Sequence, residues 1–216
     1  MKTLKTVMLS ALAVSAASVV VPAPAAEAEA GDWLVRLRGI YIRPNDDAVI
    51  DPIGGTSDIG GRFVPELDFT YFLTDKIALE LILATAEHNV SAIDTAAGEV
   101  DLGDVNLLPP TLTLQYHPFA GEQFSPYFGA GVNYTVFFNE DAPSAAGSAV
   151  QDIDYSNEFG LALQAGADLA LNDKWFVNVD VKRLWLSTDV TINGGDITAD
   201  VDIDPWIFGF GIGTRF

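Results

Sequence analysis

Over residues 159–181 apolar and polar positions alternate strictly on both sides of a three-residue turn, Asn172-Asp173-Lys174. One set is Phe159, Leu161, Leu163, Ala165, Ala167 and Leu169, continued by Trp175, Val177, Val179 and Val181. The opposite set is small, polar or charged: Gly160, Ala162, Gln164, Gly166, Asp168, Asn178, Asp180 and Lys182. A period of two is a strand signal, so the segment predicts an antiparallel hairpin with one oily face. A soluble sandwich would turn that face to its core. A membrane barrel would turn it to lipid and fill the lumen with the charged face.

Eight such strands are expected, over residues 33–43, 63–73, 77–87, 107–117, 126–139 and 159–169, then 175 to about 190, and 206–216. The seventh loses its alternation at Arg183-Leu184-Trp185-Leu186, where a bulge is expected. Short turns at Thr74, Pro118 and Asn172 alternate with long loops over 44–60, 88–106, 140–156 and roughly 191–204. An even strand count with this asymmetry marks an outer-membrane barrel whose termini and short turns are periplasmic. Aromatics near strand ends, among them Trp33, Tyr41, Tyr71, Tyr116, Trp175, Trp185 and Trp206, fit interfacial girdles.

The two ends of the chain support the membrane reading. Residues 1–30 carry Lys2 and Lys5, an apolar run over 7–21 and a Pro/Ala stretch closing on Ala28-Glu29-Ala30. These features predict a secretory signal peptide cleaved after Ala30, with Ala26 or Ala28 as alternative sites. The run is short for a membrane anchor, which needs roughly 20 residues. The barrel domain then occupies 31–216. In its final strand Phe208, Phe210, Ile212 and the terminal Phe216 alternate with small or polar positions, resembling the assembly signal of outer-membrane barrels.

Composition narrows the reading further. The chain is 49% hydrophobic, yet beyond the leader no apolar run is long enough for a membrane helix. A membrane crossing must then be a closed barrel, which pairs every backbone group in lipid. Cysteine is absent, so no disulfide framework holds an exported chain of this kind. A net charge of −19 excludes a nucleic-acid partner on electrostatic grounds. The long loops are rich in Asp and Glu and contain no Lys or Arg, which gives a one-signed rim able to gather cations that bridge to lipopolysaccharide. Asp200-Val201-Asp202-Ile203-Asp204 lacks the glycine and closing Glu of an EF-hand, so no metal site is expected. Neither His88 nor His117 stands beside a nucleophile, and His117 reads as a turn residue, so neither enzyme nor cofactor is expected.

The segment Leu107-Leu108-Pro109-Pro110-Thr111-Leu112-Thr113-Leu114-Gln115-Tyr116-His117, followed by Pro126-Tyr127-Phe128-Gly129-Ala130-Gly131-Val132-Asn133-Tyr134, resembles the signature of the outer membrane protein W family. Gly31-Asp32-Trp33-Leu34-Val35-Arg36-Leu37-Arg38, Leu163-Gln164-Ala165-Gly166-Ala167-Asp168 and Asp173-Lys174-Trp175-Phe176-Val177-Asn178-Val179-Asp180-Val181 are similar to it as well. The resemblance implies an eight-stranded outer-membrane barrel with a narrow apolar channel for small hydrophobic molecules.

The lumen-facing positions divide by height. Towards the periplasm they are charged: Arg36, Arg38, Lys182 and Arg215 against Glu66, Asp68, Glu80, Asp168 and Asp180. Four cations nearly cancel five anions, as a hydrogen-bonded plug requires, because an unpaired buried charge is costly. Nearer the outside the lining turns apolar, with Ile40, Ile42, Ala84, Ala86, Leu184 and Ile207, which either takes a hydrophobic solute or packs on itself. Pro109 and Pro110 lack the N–H that a ladder needs, so they mark either a plain strand start or a gap in the wall. The expected function is binding of small hydrophobic molecules in the upper lumen with sideways release into the membrane. The expected partners are outer-membrane lipid, lipopolysaccharide, the solute and the barrel assembly machinery. The alternative is a non-transporting structural or adhesion barrel that acts through its acidic loops.

Overall fold

A computed structural model describes residues 28–96, 98–143 and 150–216. The expected leader therefore lies almost wholly outside the described residues. The described strands are β1 (Trp33–Arg43), β2 (Asp47–Asp51), β3 (Thr56–Ile59), β4 (Arg62–Phe72), β5 (Ile77–Ala84), β6 (Ala86–Thr95), β7 (Gly98–Leu108), β8 (Thr111–Tyr116), β9 (Phe124–Asp141), β10 (Ile153–Tyr155), β11 (Glu158–Ala170), β12 (Trp175–Trp185), β13 (Ser187–Ile192), β14 (Ile197–Asp202) and β15 (Trp206–Arg215).

Eight of them close a barrel, in the order β1-β4-β5-β8-β9-β11-β12-β15 and back to β1, each pair antiparallel. Closure is completed by the β1/β15 register, from Leu34 opposite Arg215 to Arg43 opposite Trp206. The backbones of Trp33 and Phe216 exchange two hydrogen bonds at its lower end, of 2.9 and 3.2 Å. The pleat sends successive side chains to opposite faces. On β1 this buries Leu34, Arg36, Arg38 and Ile40 in the lumen while Leu37 is 57% exposed on the outer wall. A wall oily outside and charged inside is the inverse of a water-soluble barrel and suits lipid.

The four segments expected as long loops are built differently from that expectation. They carry β2 and β3, β6 and β7, β10, and β14, which continue the barrel outward as two facing sheets. One is the upper part of β9 with β7, β6 and β3; the other is β10-β13-β14-β2. Their inward faces form a core of Ile50, Val90, Ala92, Val105, Phe137, Val190, Ile192, Val201 and Ile203, among others. The acids that gave the loop reading are the outward half of the same pleat. Asp189, Asp200 and Asp202 are exposed, and Val190, Ala199 and Val201 beside them are buried.

The bulge expected at residues 183–186 is a change of sheet. β12 ends at Trp185, and β13 joins the second sheet after Leu186. Leu186 is pinned at this corner: its N–H donates to Asp204 Oδ1 (3.0 Å) and its carbonyl accepts from the Ile203 N–H (2.8 Å). The pairing of β5-β6 with β7-β8 is interrupted in the same zone. The β5/β8 ladder stops at Ile82 opposite Thr111, and the β6/β7 ladder begins at Ala86 opposite Leu107.

Burying even a neutral polar group without a partner costs roughly 2–7 kcal/mol, and a carboxylate more, so Val201→Asp should open the two-sheet extension without opening the barrel. Amide hydrogen exchange is expected to quicken roughly a hundredfold across β13 and β14, with β1 and β12 retaining their protection.

Candidate functional site

The floor of the lumen is apolar. Leu34, Phe72, Ala78 and Phe176 pack there with Ala28, all buried. His117, expected as a turn residue, is instead buried against this floor, because it continues the inward face of β8 past Thr113 and Gln115. Its ring centroid lies 5.0 Å from that of Phe72 and 5.1 Å from that of Tyr127, and its Nε2 lies 2.9 Å from Gln115 Oε1.

Above it stands the charged network. Arg36 reaches Asp68 (3.0 Å), Glu80 (3.4 Å) and Asp168 (2.8 Å). Arg38 reaches Glu66 (2.8 Å), Asp68 (2.7 Å), Glu80 (3.2 Å) and Asp180 (3.6 Å). Lys182 joins Glu66 and Asp180, both at 2.8 Å. Eight of the nine residues expected in the plug thus come together. Arg215 is the ninth; it is half-buried at the periplasmic mouth, below these ion pairs.

Neutral groups complete the network. Tyr127 donates to Asp180 Oδ2 (2.9 Å) and accepts from Arg38 (3.2 Å) and from Asn178 Nδ2 (3.1 Å). Gln164 and Thr113 donate to Glu80 Oε2 at 2.7 and 3.2 Å. Tyr127 escaped the sequence reading although it precedes Phe128, an outward residue, and the pleat alone assigns it to the lumen.

Ile40, Ile42, Ala84, Ala86, Leu184 and Ile207 come together directly above the charges, joined by Val64, Leu107 and Ala162. Over them lies a cavity of about 70 Å³ walled by Ile42, Leu184 and Ile207 from the barrel and by the extension core, with Ser57 and Thr188 among its few polar residues. His88 and Tyr155 also line it. Burial lowers the His88 pKa and raises that of Tyr155, so both stay uncharged at neutral pH. His88 Nδ1 lies 3.0 Å from the Gly60 carbonyl oxygen. Most of this apolar wall was hidden from the sequence reading, since it belongs to segments taken for solvated loops. The alternation of Ala199, Val201 and Ile203 with acids is the signal that identifies it.

Pro109 lines the same cavity. Between the two ladders Leu83, Ala84 and Thr85 face Leu108, Pro109 and Pro110 without backbone pairing, although the register is the same on both sides. The other edge of the proline segment is anchored. Tyr134 N–H donates to the Pro110 carbonyl (3.1 Å), and Asn133 Nδ2 donates to that of Pro109 (3.1 Å). Phe208, Phe210, Ile212 and Phe216 stand on the outer wall, all exposed. Among the described residues no group of three or more His, Cys, Asp or Glu side chains is placed to hold a metal ion.

Arg38→Leu leaves Glu66, Asp68, Glu80 and Asp180 short of a cation. A loss of about 3–5 kcal/mol is expected, measured by urea unfolding of the barrel refolded in vesicles, with Lys76→Gln in an exposed turn changing stability by much less.

Comparison with known proteins places this architecture. Residues 29–216 match the OmpW family. The outer-membrane protein y4mB of Sinorhizobium fredii is 38% identical over 90% of this chain and 85% of its own length. The dibenzothiophene metabolism operon protein PahQ of Pseudomonas aeruginosa is 31% identical over 76% of each chain. The crystal structure of the outer membrane protein OprG from Pseudomonas aeruginosa superposes with a TM-score of 0.80 at 32% identity, covering 88% of this chain and 97% of that one. An eight-stranded wall, lipid-facing outside and charged within, together with these matches, makes this chain an outer-membrane β-barrel of the OmpW family.

Proposed function

We propose that this barrel takes up small hydrophobic molecules from outside, holds them in the apolar upper lumen and releases them sideways into the outer membrane. The observation that carries this reading is the stacking of two opposed environments. An uncharged apolar cavity sits directly on a closed layer of ion pairs. A polar solute gains nothing in the upper compartment, and an apolar one meets a barrier at the lower.

The unpaired stretch at Leu83–Thr85 and Leu108–Pro110 supplies the exit, since Pro109 borders both the cavity and the interruption. At about 70 Å³ the cavity is smaller than the ~150 Å³ void that accepts benzene. Occupancy therefore requires the two sheets of the extension to part. Their seams allow it. β2 and β3 meet through side chains, with Asp46 and Asp47 accepting from Ser57 and Thr56, and share no backbone ladder. The relative named for a dibenzothiophene operon supports a hydrophobic aromatic cargo class. Export by the 1–30 leader and insertion through the terminal strand ending in Phe216 belong to the same reading.

Two measurements test it. A fluorescent long-chain probe should bind the refolded barrel saturably and lose at least tenfold in affinity in Leu184→Asp. Binding absent from both correctly folded proteins would overturn the proposal and favour a structural or adhesion role for the acidic outer face. The chain contains no cysteine, so Ala84→Cys/Pro109→Cys introduces a single bridge across the interruption. Oxidation should cut delivery of the probe into vesicle membranes severalfold, and reduction should restore it.

A further inference from the structure

The outer wall carries a feature that hydrophobic uptake leaves unused. At the extracellular end of the barrel Arg43 on β1 stands opposite Trp206 on β15, and Trp206 stands opposite Arg183 on β12. Neighbouring strands lie about 4.8 Å apart, so the two arginines are roughly 10 Å apart with an indole between them. Both face outward, in phase with Tyr41, Trp185 and Phe208.

Arg183 is fixed. Its guanidinium lies 5.7 Å from the Trp185 ring centroid and 5.5 Å from that of Trp206, and it pairs with Asp204 at 3.0 Å and bonds the Asp204 carbonyl. Arg43 differs: it is exposed and makes no ion pair among the described residues. The other cation at this level, Arg62, is bound to the Glu87 carbonyl and Asn89 Oδ1, both at 2.7 Å. In an outer half dominated by acids, an unpaired guanidinium at the height of an aromatic girdle needs a counter-charge from the membrane.

A second feature lies below it. Four residues down β1, at Gly39, the Phe63 ring lies where an outward side chain would stand, and Leu37, Phe63, Pro65, Phe210 and Ile212 line an open apolar groove there. Four residues of strand span about 13 Å, which places the groove within the outer half of a hydrocarbon layer ~30 Å thick. A cation at the headgroup level above an apolar groove at acyl-chain depth matches a phosphorylated lipid.

We propose that this face docks lipid A, the phosphorylated acyl glycolipid of the outer leaflet, with one phosphate at Arg43 beside the braced Arg183 and an acyl chain in the groove at Gly39. Arg43 holds the phosphate by charge-assisted hydrogen bonds. Arg183, partly satisfied by Asp204, supplies a fixed positive edge. The site faces lipid and does not depend on the apolar cavity or on transport.

The test uses the full barrel refolded in detergent and incubated with bisphosphorylated lipid A, dephosphorylated lipid A or phosphatidylglycerol, with bound lipid counted by native mass spectrometry. Wild-type protein should retain bisphosphorylated lipid A on the order of tenfold better than either other lipid. Arg43→Gln should abolish that preference, while Lys76→Gln in a periplasmic turn should leave it unchanged. Phe63→Ala, which removes one wall of the groove, should weaken retention of every acylated lipid and keep the preference for phosphate. Heat-modifiable migration on gels verifies folding of each variant. Equal retention by wild type and Arg43→Gln, or equal retention of phosphatidylglycerol and lipid A by wild type, would overturn the proposal.

Discussion

Arg36 and Arg38 stand two residues apart on the inner face of β1, and both are fully buried. A guanidinium keeps its charge at any ordinary pH and carries five donors that must be met. Two of them side by side demand anions from several directions, and the barrel supplies these from four of its strands. Glu66 and Asp68 come from β4, Glu80 from β5, Asp168 from β11 and Asp180 from β12. The register of four strands against β1 is thereby tied to two side chains. Sliding any one of them by a residue would turn its acids to lipid and its oily face to the lumen.

The same constraint separates the molecule into compartments. The charged layer divides an apolar floor from an apolar upper chamber. Above the layer no ion pair crosses the lumen among the described residues, and the Arg183–Asp204 pair lies on the outer face. The single barrel gives way to two facing sheets held by aliphatic contacts and side-chain hydrogen bonds at their seams. Stability and adaptability are thus assigned to different heights, which is how a scaffold commonly supports a binding region that must change shape.

Much of this was legible in the sequence because a strand with one buried face announces itself by alternation. Leu34-Val35-Arg36-Leu37-Arg38 could be sorted into lumen and lipid before any coordinates, and so could the apolar ring around Ile40 and Leu184. The outward extension was not read, for a physical reason. Residues 197–204 alternate as cleanly as β12 does, but their polar half is Asp, and acids are usually the mark of solvated turns. The period carried the information; the residue type obscured it. Two other features depend on long-range geometry. The proline interruption is a gap only because β5 lies beside it, and the bend at Leu186 is a change of sheet only because β14 brings Asp204 to its N–H.

The inner face of β15 bears on how the barrel is made. Between Ile207 above and Arg215 at the periplasmic mouth, its lumen-facing positions are Gly209, Gly211 and Gly213. At Gly211 a side chain would run into the backbone of Leu37 and Arg38, and at Gly213 into Phe176 and Arg36. At the level of the ion pairs β15 therefore brings no bulk to the interior. The ion pairs among β1, β4, β5, β11 and β12 need no contribution from it, and β15 can zip onto β1 and β12 without any of them being broken. At that height the closure of the wall is left to the backbone ladders on the two sides of β15.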